Sequence, residues 1–377
     1  NFSGLEFFNK QGFISSEESS ESVSKTIENS LDYYAASLMN PEDLNLKRAA
    51  YYYKNLFNPD NGFFQAKLNQ KFITPFAPNE VNQHYTEANA WHYMFGAHHD
   101  IEGIKQLLSH QRMNGSEKNT ASLENKLDEL FRSSSEMSGR VQSDITGLIG
   151  QYAHGNEPSH HVGYLYNYCG RYDKTQDILQ HIMDSFYLDA PDGLCGNEDC
   201  GQMSGWYILS CLGIYSVCPG SNEFALTTPL FEKAVVNLAN RKTLTILANN
   251  PKKNVYITKV ELNGQPIDVN FITYAQLMEG GELRFTLSDK PNMERGVSSE
   301  ASPYSYTKDE VVSIPYVDKD LNLFMDKVTV ALATTTKDAE IRYTLDGSEP
   351  TEQSALYEQP FELDKTTLIK AKGFKEG

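Results

Sequence analysis

The stretch GLCGNEDCGQMSGWYILSCLGIYSVCPGSNEFALTTPLFEKAVVNL, residues 193–238, decides how the chain is read, because two periodicities meet inside it. Residues 203–212 carry apolar side chains at helical spacing until Gly213 stops them, whereas Val235 to Leu238 opens a run with a period of two. The character of the chain therefore changes near residue 225.

Upstream, Ile27, Leu31, Tyr34 and Leu38 share one helix face, as do Leu123, Leu127, Leu130 and Phe131, and Ile178, Leu179, Ile182 and Phe186. Ser22 is expected to cap the first of these helices. The Asn114-Gly115-Ser116 turn precedes the second, and Asp173 places an acid at the positive end of the third. Further helices are expected around residues 45–56, 86–109, 159–169 and 203–212, giving about seven before residue 225. Downstream, strands are predicted at Val235 to Leu238, Leu244 to Ala248, Val255 to Ile257, Val260 to Leu262 and Leu283 to Leu287, punctuated by Asn263-Gly264 and Gly280-Gly281. Residues 296–318 are rich in Ser, Pro, Tyr and charge and read as a linker. Strands follow at Val328 to Leu332, Glu340 to Thr344 and Thr367 to Ala371, with a hairpin turn at Asp346-Gly347. The expectation is an α+β multidomain chain: helical from 1 to 225, β from 226 to 295, a linker over 296–318, and a small all-β module over 319–377.

Composition excludes several functions. The 377 residues carry 50 acidic and 33 basic side chains, a net charge of −17, which disfavours nucleic acid as a partner. No apolar run approaches the roughly 18 residues a spanning helix needs. Asn1 is not a natural start, so the true N-terminus, with any export signal, is expected upstream. The 22 Tyr against 2 Trp fit a surface that stacks on sugars, although half-buried core Tyr accounts for most of them. Cys169, Cys195, Cys200, Cys211 and Cys218 lack C-x-x-C spacing, so a zinc ribbon or thioredoxin-type site is not supported. Buried thiols are expected, with Cys195 and Cys200 the pair that could bridge.

Three segments are badly suited to a simple core. His154 is followed by Gly155-Asn156-Glu157-Pro158-Ser159-His160-His161, where Pro158 pushes Glu157 out of the α region and can itself start a helix. Gly196-Asn197-Glu198-Asp199-Cys200-Gly201-Gln202 leads into the helix bearing Trp206 and Tyr207, and Glu87, Asn89 and Trp91 open another. Acids at helix starts are routine caps, which explains either loop alone; two glycine-hinged Asn/Glu clusters in one chain are harder to explain so. Sugar hydrolysis needs one carboxyl with a raised pKa and a second, ionised carboxylate, and Glu87, Glu157, Glu198 and Asp199 are the candidates. A hard cation would take oxygens from the same loops, so calcium suits the composition better than zinc. Zinc could use His154, His160 and His161, but adjacent His160 and His161 project about 100° apart on a helix.

YTEANAWHY (85–93), GQYAHGNEPSHHVGYLYNYCG (150–170) and the opening stretch resemble, in order, the hallmark segments of glycoside hydrolase family 92. ESVSKTIENSLDYY (21–34) and GGELRFTLSDKP (280–291) do so too, so the resemblance spans roughly residues 5–292. It implies a calcium-dependent, inverting exo-α-mannosidase whose (α/α)6 barrel follows an N-terminal β-sandwich. The chain is then a partial toroid followed by a β-sandwich-type region that packs on that sandwich. The sandwich and the first barrel helices would lie upstream, and this fragment alone would be inactive.

Carried over by motif, Glu87 is the general acid and Asp199 the general base. Asn156, Glu157 and His161 are calcium or mannose ligands, with Glu157 the residue most readily exchanged with Glu87. Asn89, Trp91, His154, His160, Asn197, Glu198 and Gln202 are substrate contacts. Ala88 stands where the family has Gly, His92 where it has Gln, and Asn197 where many relatives have a second acid, which leaves base assistance to Asp199 alone or to Glu198. Inversion implies acid and base carboxyls roughly 6.5–9.5 Å apart. The partner is an α-mannose-terminated glycan, with the α-1,2 linkage a first guess. The expected location is secreted, periplasmic or at a bacterial cell surface, and the oligomeric state is unassigned. Another α/α toroid glycosidase, or a non-catalytic glycan-binding protein, are the alternatives. EIRYTLDGSEPTEQSALYEQPFELDKTTLIKAKGF (340–374) resembles the small β module at the C-terminus of chitobiases. Asp346 and Glu349 there read as a turn residue and a solvated acid before they read as cation ligands.

Overall fold

The computed structural model describes residues 4–68, 70–109, 111–113, 116–117, 122–307, 312, 315–317, 324–334, 336 and 338–375. The helical part contains Ser22–Met39, Leu44–Ala49, Ile101–Ser109, Leu123–Arg132, Tyr172–Phe186 and Gln202–Cys211. Ser122 caps Leu123–Arg132 by accepting from Asn125 N at 3.2 Å, and Asp43 caps Leu44–Ala49 in the same way. The Asn114-Gly115 turn expected ahead of the former lies outside the described residues. Ser22 is not the cap of its helix: Glu21 occupies that place with φ 56°, and Ser22 is the first helical residue. Burial of one face of each of these helices except Leu44–Ala49 forms a core that includes Ile27, Leu107, Leu127, Leu130, Leu179 and Trp206, while Ala49 packs with Phe8 and Ile14. Among the described residues these helices do not close a barrel.

The helix expected over 86–109 is two pieces, Ala90–Tyr93 and Ile101–Ser109. Residues 159–169 form 3-10 turns, Glu157–Ser159 and Val162–Cys169, and not an α-helix. The second presses so closely on Tyr172–Phe186 that a Cβ on Gly163 would lie 2.8 Å from Leu179 Cδ2.

The period of two downstream produces a five-stranded sheet. Its order is Lys233–Asn237, Thr243–Ala248, Gly281–Ser288, Tyr256–Leu262 and Gln265–Pro266, with the Thr243–Ala248 and Gly281–Ser288 pair parallel. Leu244, Ile246, Val260, Leu283 and Phe285 form its buried face. Gln176 and Asp177 of the long helix accept hydrogen bonds from Ile257 N (3.1 Å) and the Tyr256 hydroxyl (2.7 Å), which ties the sheet to the helical part.

Residues 299–307 do not behave as a linker. Ala301 is buried, Tyr304 and Tyr306 pack on Tyr34, and Tyr306 N donates to the His99 carbonyl at 2.7 Å. Their anchor is Asp100, whose carboxylate accepts from Thr307 N (3.0 Å), Thr307 Oγ1 (2.9 Å) and Ser305 Oγ (3.2 Å). The C-terminal β module centres Glu340–Thr344 between Ala355–Leu356 and Lys370–Phe374 over Val330, Leu332 and Ile341. Asp346 accepts from Ser348 N at 3.0 Å and Glu349 pairs with Lys370, so both acids have ordinary structural partners.

Candidate active site

Three loops that each precede a helical turn are drawn together. The first carries Glu87 in the left-handed region at φ 49°, costly for a residue with a Cβ. Its surroundings hold that conformation. Thr86 N donates to Ser24 Oγ at 2.8 Å ahead of it, and behind it Asn89 Oδ1 caps Ala90–Tyr93 by accepting from Trp91 N (3.0 Å) and His92 N (3.3 Å). Asn89 Nδ2 donates to Gln151 Oε1 at 3.0 Å, which links this loop to the start of the second.

The second loop runs from Gly155 to His161. Asn156 Nδ2 donates to the Glu87 carbonyl at 3.0 Å, so the first two loops are bonded directly. The third loop holds Asp199 and Cys200 at φ 51° and 59°, followed by Gly201 at 102°. It meets the second at its glycine: a Cβ on Gly196 would lie 2.8 Å from Gly155 Cα and 3.0 Å from Thr146 Oγ1. Bare backbone at both glycines lets the loops touch.

The result is a cluster of carboxylates. Glu87 and Asp199 are exposed and Glu157 is half-buried. Burial pushes the Glu157 carboxyl up to about 7, assisted by Asp199, which stands against it as a hydrogen-bonding and like-charged neighbour, and by the charge of Glu87. Its Oε1 is buried without a hydrogen-bond partner. Glu198 is different: its carboxylate accepts from Gly201 N at 2.6 Å and Ser204 N at 3.3 Å and so caps Gln202–Cys211. Asn197 donates to Asp144 Oδ1 at 3.1 Å.

The histidines expected at the sugar lie beneath the cluster. His154 is fully buried between the hydroxyls of Tyr152 and Tyr187, each 2.7 Å from a ring nitrogen, and burial with His160 nearby pushes it down to about 2. His161 Nε2 donates to the Phe95 carbonyl at 2.7 Å, and its ring stacks on His98 at 3.6 Å. His160 Nε2 donates to the His154 carbonyl at 3.0 Å, while its Nδ1 meets the Gln202 amide at 3.1 Å. Trp91 packs edge-on against Phe63 in the core at 4.7 Å, only 8% exposed. Of the expected sugar contacts, Asn197 and Gln202 are exposed.

A half-buried carboxylate with an orphaned oxygen, facing two further carboxylates, is what positive charge would satisfy, so Glu157 fits calcium. His161 Nε2 is already turned to a carbonyl, while its Nδ1 is buried without a hydrogen-bond partner. Among the described residues no three His, Cys, Asp or Glu side chains form a ligand cage, so remaining ligands would be neutral oxygens. All five cysteines are free, including the Cys195 and Cys200 that could have bridged. Sequence reading missed Thr146, Gln151 and Asp144, which brace the loops; the repeated Gly-Asn-Glu was the signal that the second and third loops are paired.

Residues 1–289 match the family model described as glycosyl hydrolase family 92 catalytic domain, and residues 322–377 match the chitobiase/beta-hexosaminidase C-terminal domain. A family GH92 alpha-mannosidase from Bacteroides thetaiotaomicron is 35% identical, with a TM-score of 0.73 over 81% of this chain and 40% of that one. The same mannosidase in complex with mannoimidazole aligns at 33% identity and TM-score 0.73, over 81% of this chain and 41% of that one. A family GH92 inverting mannosidase from Bacteroides thetaiotaomicron VPI-5482 is 32% identical, with TM-score 0.70 over 81% of this chain and 42% of that one. An uncharacterized secreted glycosidase of Arthroderma benhamiae is 25% identical over 299 residues, 71% of this chain and 35% of its own. The chain thus spans less than half the length of these relatives.

Proposed function

The chain belongs to glycoside hydrolase family 92, and from that premise we propose that it carries the acid and base of an exo-acting, inverting α-mannosidase. The observation that supports this most is the convergence of Glu87, Glu157 and Asp199 from three separate loops. Glu87 donates a proton to the leaving glycosidic oxygen while Asp199 takes one from the attacking water, so that attack and departure occur on opposite faces of the sugar. Glu157 and Asn156 would hold a calcium ion, which when bound would supply positive charge for fixing sugar hydroxyls and favouring ring distortion. The substrate is a glycan with terminal α-mannose, first guess α-1,2-linked, and the enzyme acts outside the cytoplasm. Residues 226–295 pack with a sandwich domain, and the C-terminal module is accessory.

The raised Glu157 pKa favours a second reading, in which Glu157 is the proton donor. The full-length protein distinguishes them. Asp199→Asn abolishes turnover of an α-mannobiose with the fold intact; unchanged turnover removes Asp199 from the role. An aryl α-mannoside with an activated leaving group needs little acid help, so it restores the turnover of whichever of Glu87→Gln and Glu157→Gln has lost the proton donor. Restoration in Glu87→Gln alone supports the first reading. Chelation should silence the enzyme, calcium should restore it, and the α-1,2, α-1,3, α-1,4 and α-1,6 mannobioses then rank the linkages.

A further inference from the structure

An attacking water brings two hydrogens, and Asp199 accepts one of them. Asn197, two residues before Asp199, is turned to Asp144. Another acceptor is available three residues after Asp199. Gln202 N donates to the Asp199 carbonyl at 3.2 Å, which locks the two residues into one turn, and Gln202 is exposed.

The orientation of its amide is dictated from below. The His154 carbonyl can only accept, so His160 Nε2 must carry a hydrogen to bond it at 3.0 Å. The atom of Gln202 that faces Nδ1, at 3.1 Å, is its amide nitrogen, so Nδ1 acts as the acceptor. The same amide donates toward the Tyr215 hydroxyl, opposing the burial that pushes Tyr215 up to about 12. With the nitrogen bonded to His160, the oxygen is the atom of the amide that remains to accept.

We propose that Gln202 Oε1, held in place by His160, accepts the second hydrogen of the nucleophilic water and so aims its lone pair at the anomeric carbon. This rests on the inverting-mannosidase reading of the site. In the step, the water oxygen bonds to C1 as the C1–O glycosidic bond breaks. One water hydrogen passes to Asp199, Glu87 protonates the departing oxygen, and the second water hydrogen stays on the new hydroxyl, bonded to Gln202. Gln202 is then a catalytic residue and His160 a positioning residue. An amide oxygen suits the task because it accepts without becoming protonated and adds no charge beside Asp199.

The test uses the full-length protein, an α-mannobiose and an iminosugar mimic of mannose. Gln202→Ala is expected to lower kcat on the order of 10- to 100-fold, the effect of one hydrogen bond to a group gaining charge, with KM and the inhibition constant of the mimic within about twofold. His160→Ala should do the same, and the double variant should be no worse than the poorer single one. His160→Gln, which can donate to the His154 carbonyl and accept from Gln202, should recover most of the loss. A rise in KM and inhibition constant with kcat unchanged would make Gln202 a sugar contact and overturn the proposal, as would additive losses in the double variant. Wild-type protein inactive on every mannobiose would instead overturn the mannosidase reading, and the role of Gln202 with it.

Discussion

The side-chain amide of Asn156 donates to the backbone carbonyl of Glu87 at 3.0 Å, joining loops that lie 69 residues apart in the chain. Glu87 occupies a left-handed conformation that its own side chain does not favour, so an external bond to its carbonyl is part of what holds it. Asn156→Ala removes this part-buried hydrogen bond, and should cost about 0.5–1.5 kcal/mol of stability in denaturant unfolding. Activity of the full-length protein on an α-mannobiose should fall further than that loss of folded protein explains. Unchanged kcat would show that Glu87 keeps its place without Asn156.

The glycine contact between the second and third loops yields a paired prediction. A Cβ on Gly196 meets Gly155 Cα at 2.8 Å and Gly155 O at 3.0 Å, and backbone cannot turn aside as a side chain can. Gly196→Ala should destabilise by about 1–3 kcal/mol and reduce kcat by separating Asp199 from Glu157. Gly205, inside the Gln202–Cys211 helix, has nothing within 4 Å of the added carbon. Gly205→Ala should leave activity intact and raise stability by about 0.5–1 kcal/mol. Equal behaviour of the two variants in thermal melts would contradict the steric argument.

Glu157 sets a pH dependence of unusual sign. Its carboxyl ionises near 4.5 in an ordinary setting and at about 7 when folded. Between those values the unfolded chain has released a proton that the folded chain still holds, so stability falls as pH rises from about 4.5 to 7 and is flat in this respect outside that window. Melts of the wild type in chelator should show this slope, and Glu157→Gln should remove it. Calcium should raise the melting temperature of the wild type at pH above about 7 and not that of Glu157→Gln, because it binds the ionised carboxylate.

Local pattern made much of this legible. Helices such as Leu123–Arg132 and Tyr172–Phe186, and the strands around Leu244 and Leu283, follow from apolar period alone. The site loops were found because glycine, proline and clustered acids there have no simple packing explanation. What escaped depends on contacts between distant residues. Nothing near His154 in sequence says that Tyr187 will bond it, or that Phe95 will accept from His161, and each of those bonds occupies a ring nitrogen. The break between Ala90–Tyr93 and Ile101–Ser109 has the same origin, since His99 and Asp100 turn inward to meet residues 304–307.

Asp100 gives the last prediction. It is fully buried, 3.5 Å from the Lys54 ammonium, and bonded by the Tyr53 hydroxyl at 2.8 Å as well as by Ser305 and Thr307. Burial works against its charge, but Lys54, His99 and the Thr307 and Tyr53 hydroxyls outweigh burial and hold its carboxyl below the usual range. The stability it contributes is therefore present above the ordinary Asp value of 3.8 and is lost as pH falls through the lower folded value. Asp100→Asn leaves Lys54 buried and unpaired, which should cost about 3–5 kcal/mol, and should flatten the acid limb of the stability profile. Thr307→Val keeps the ion pair and removes only a hydroxyl, so it should cost about 1 kcal/mol. Asp100→Asn weakens every bond of the carboxylate that anchors residues 299–307 and Thr307→Val removes one of them, so limited proteolysis should release the C-terminal module fastest in Asp100→Asn and to a smaller degree faster in Thr307→Val than in the wild type, while the folded remainder keeps its kcat. Equal cleavage rates in all three proteins would mean that Asp100 does not hold the strap.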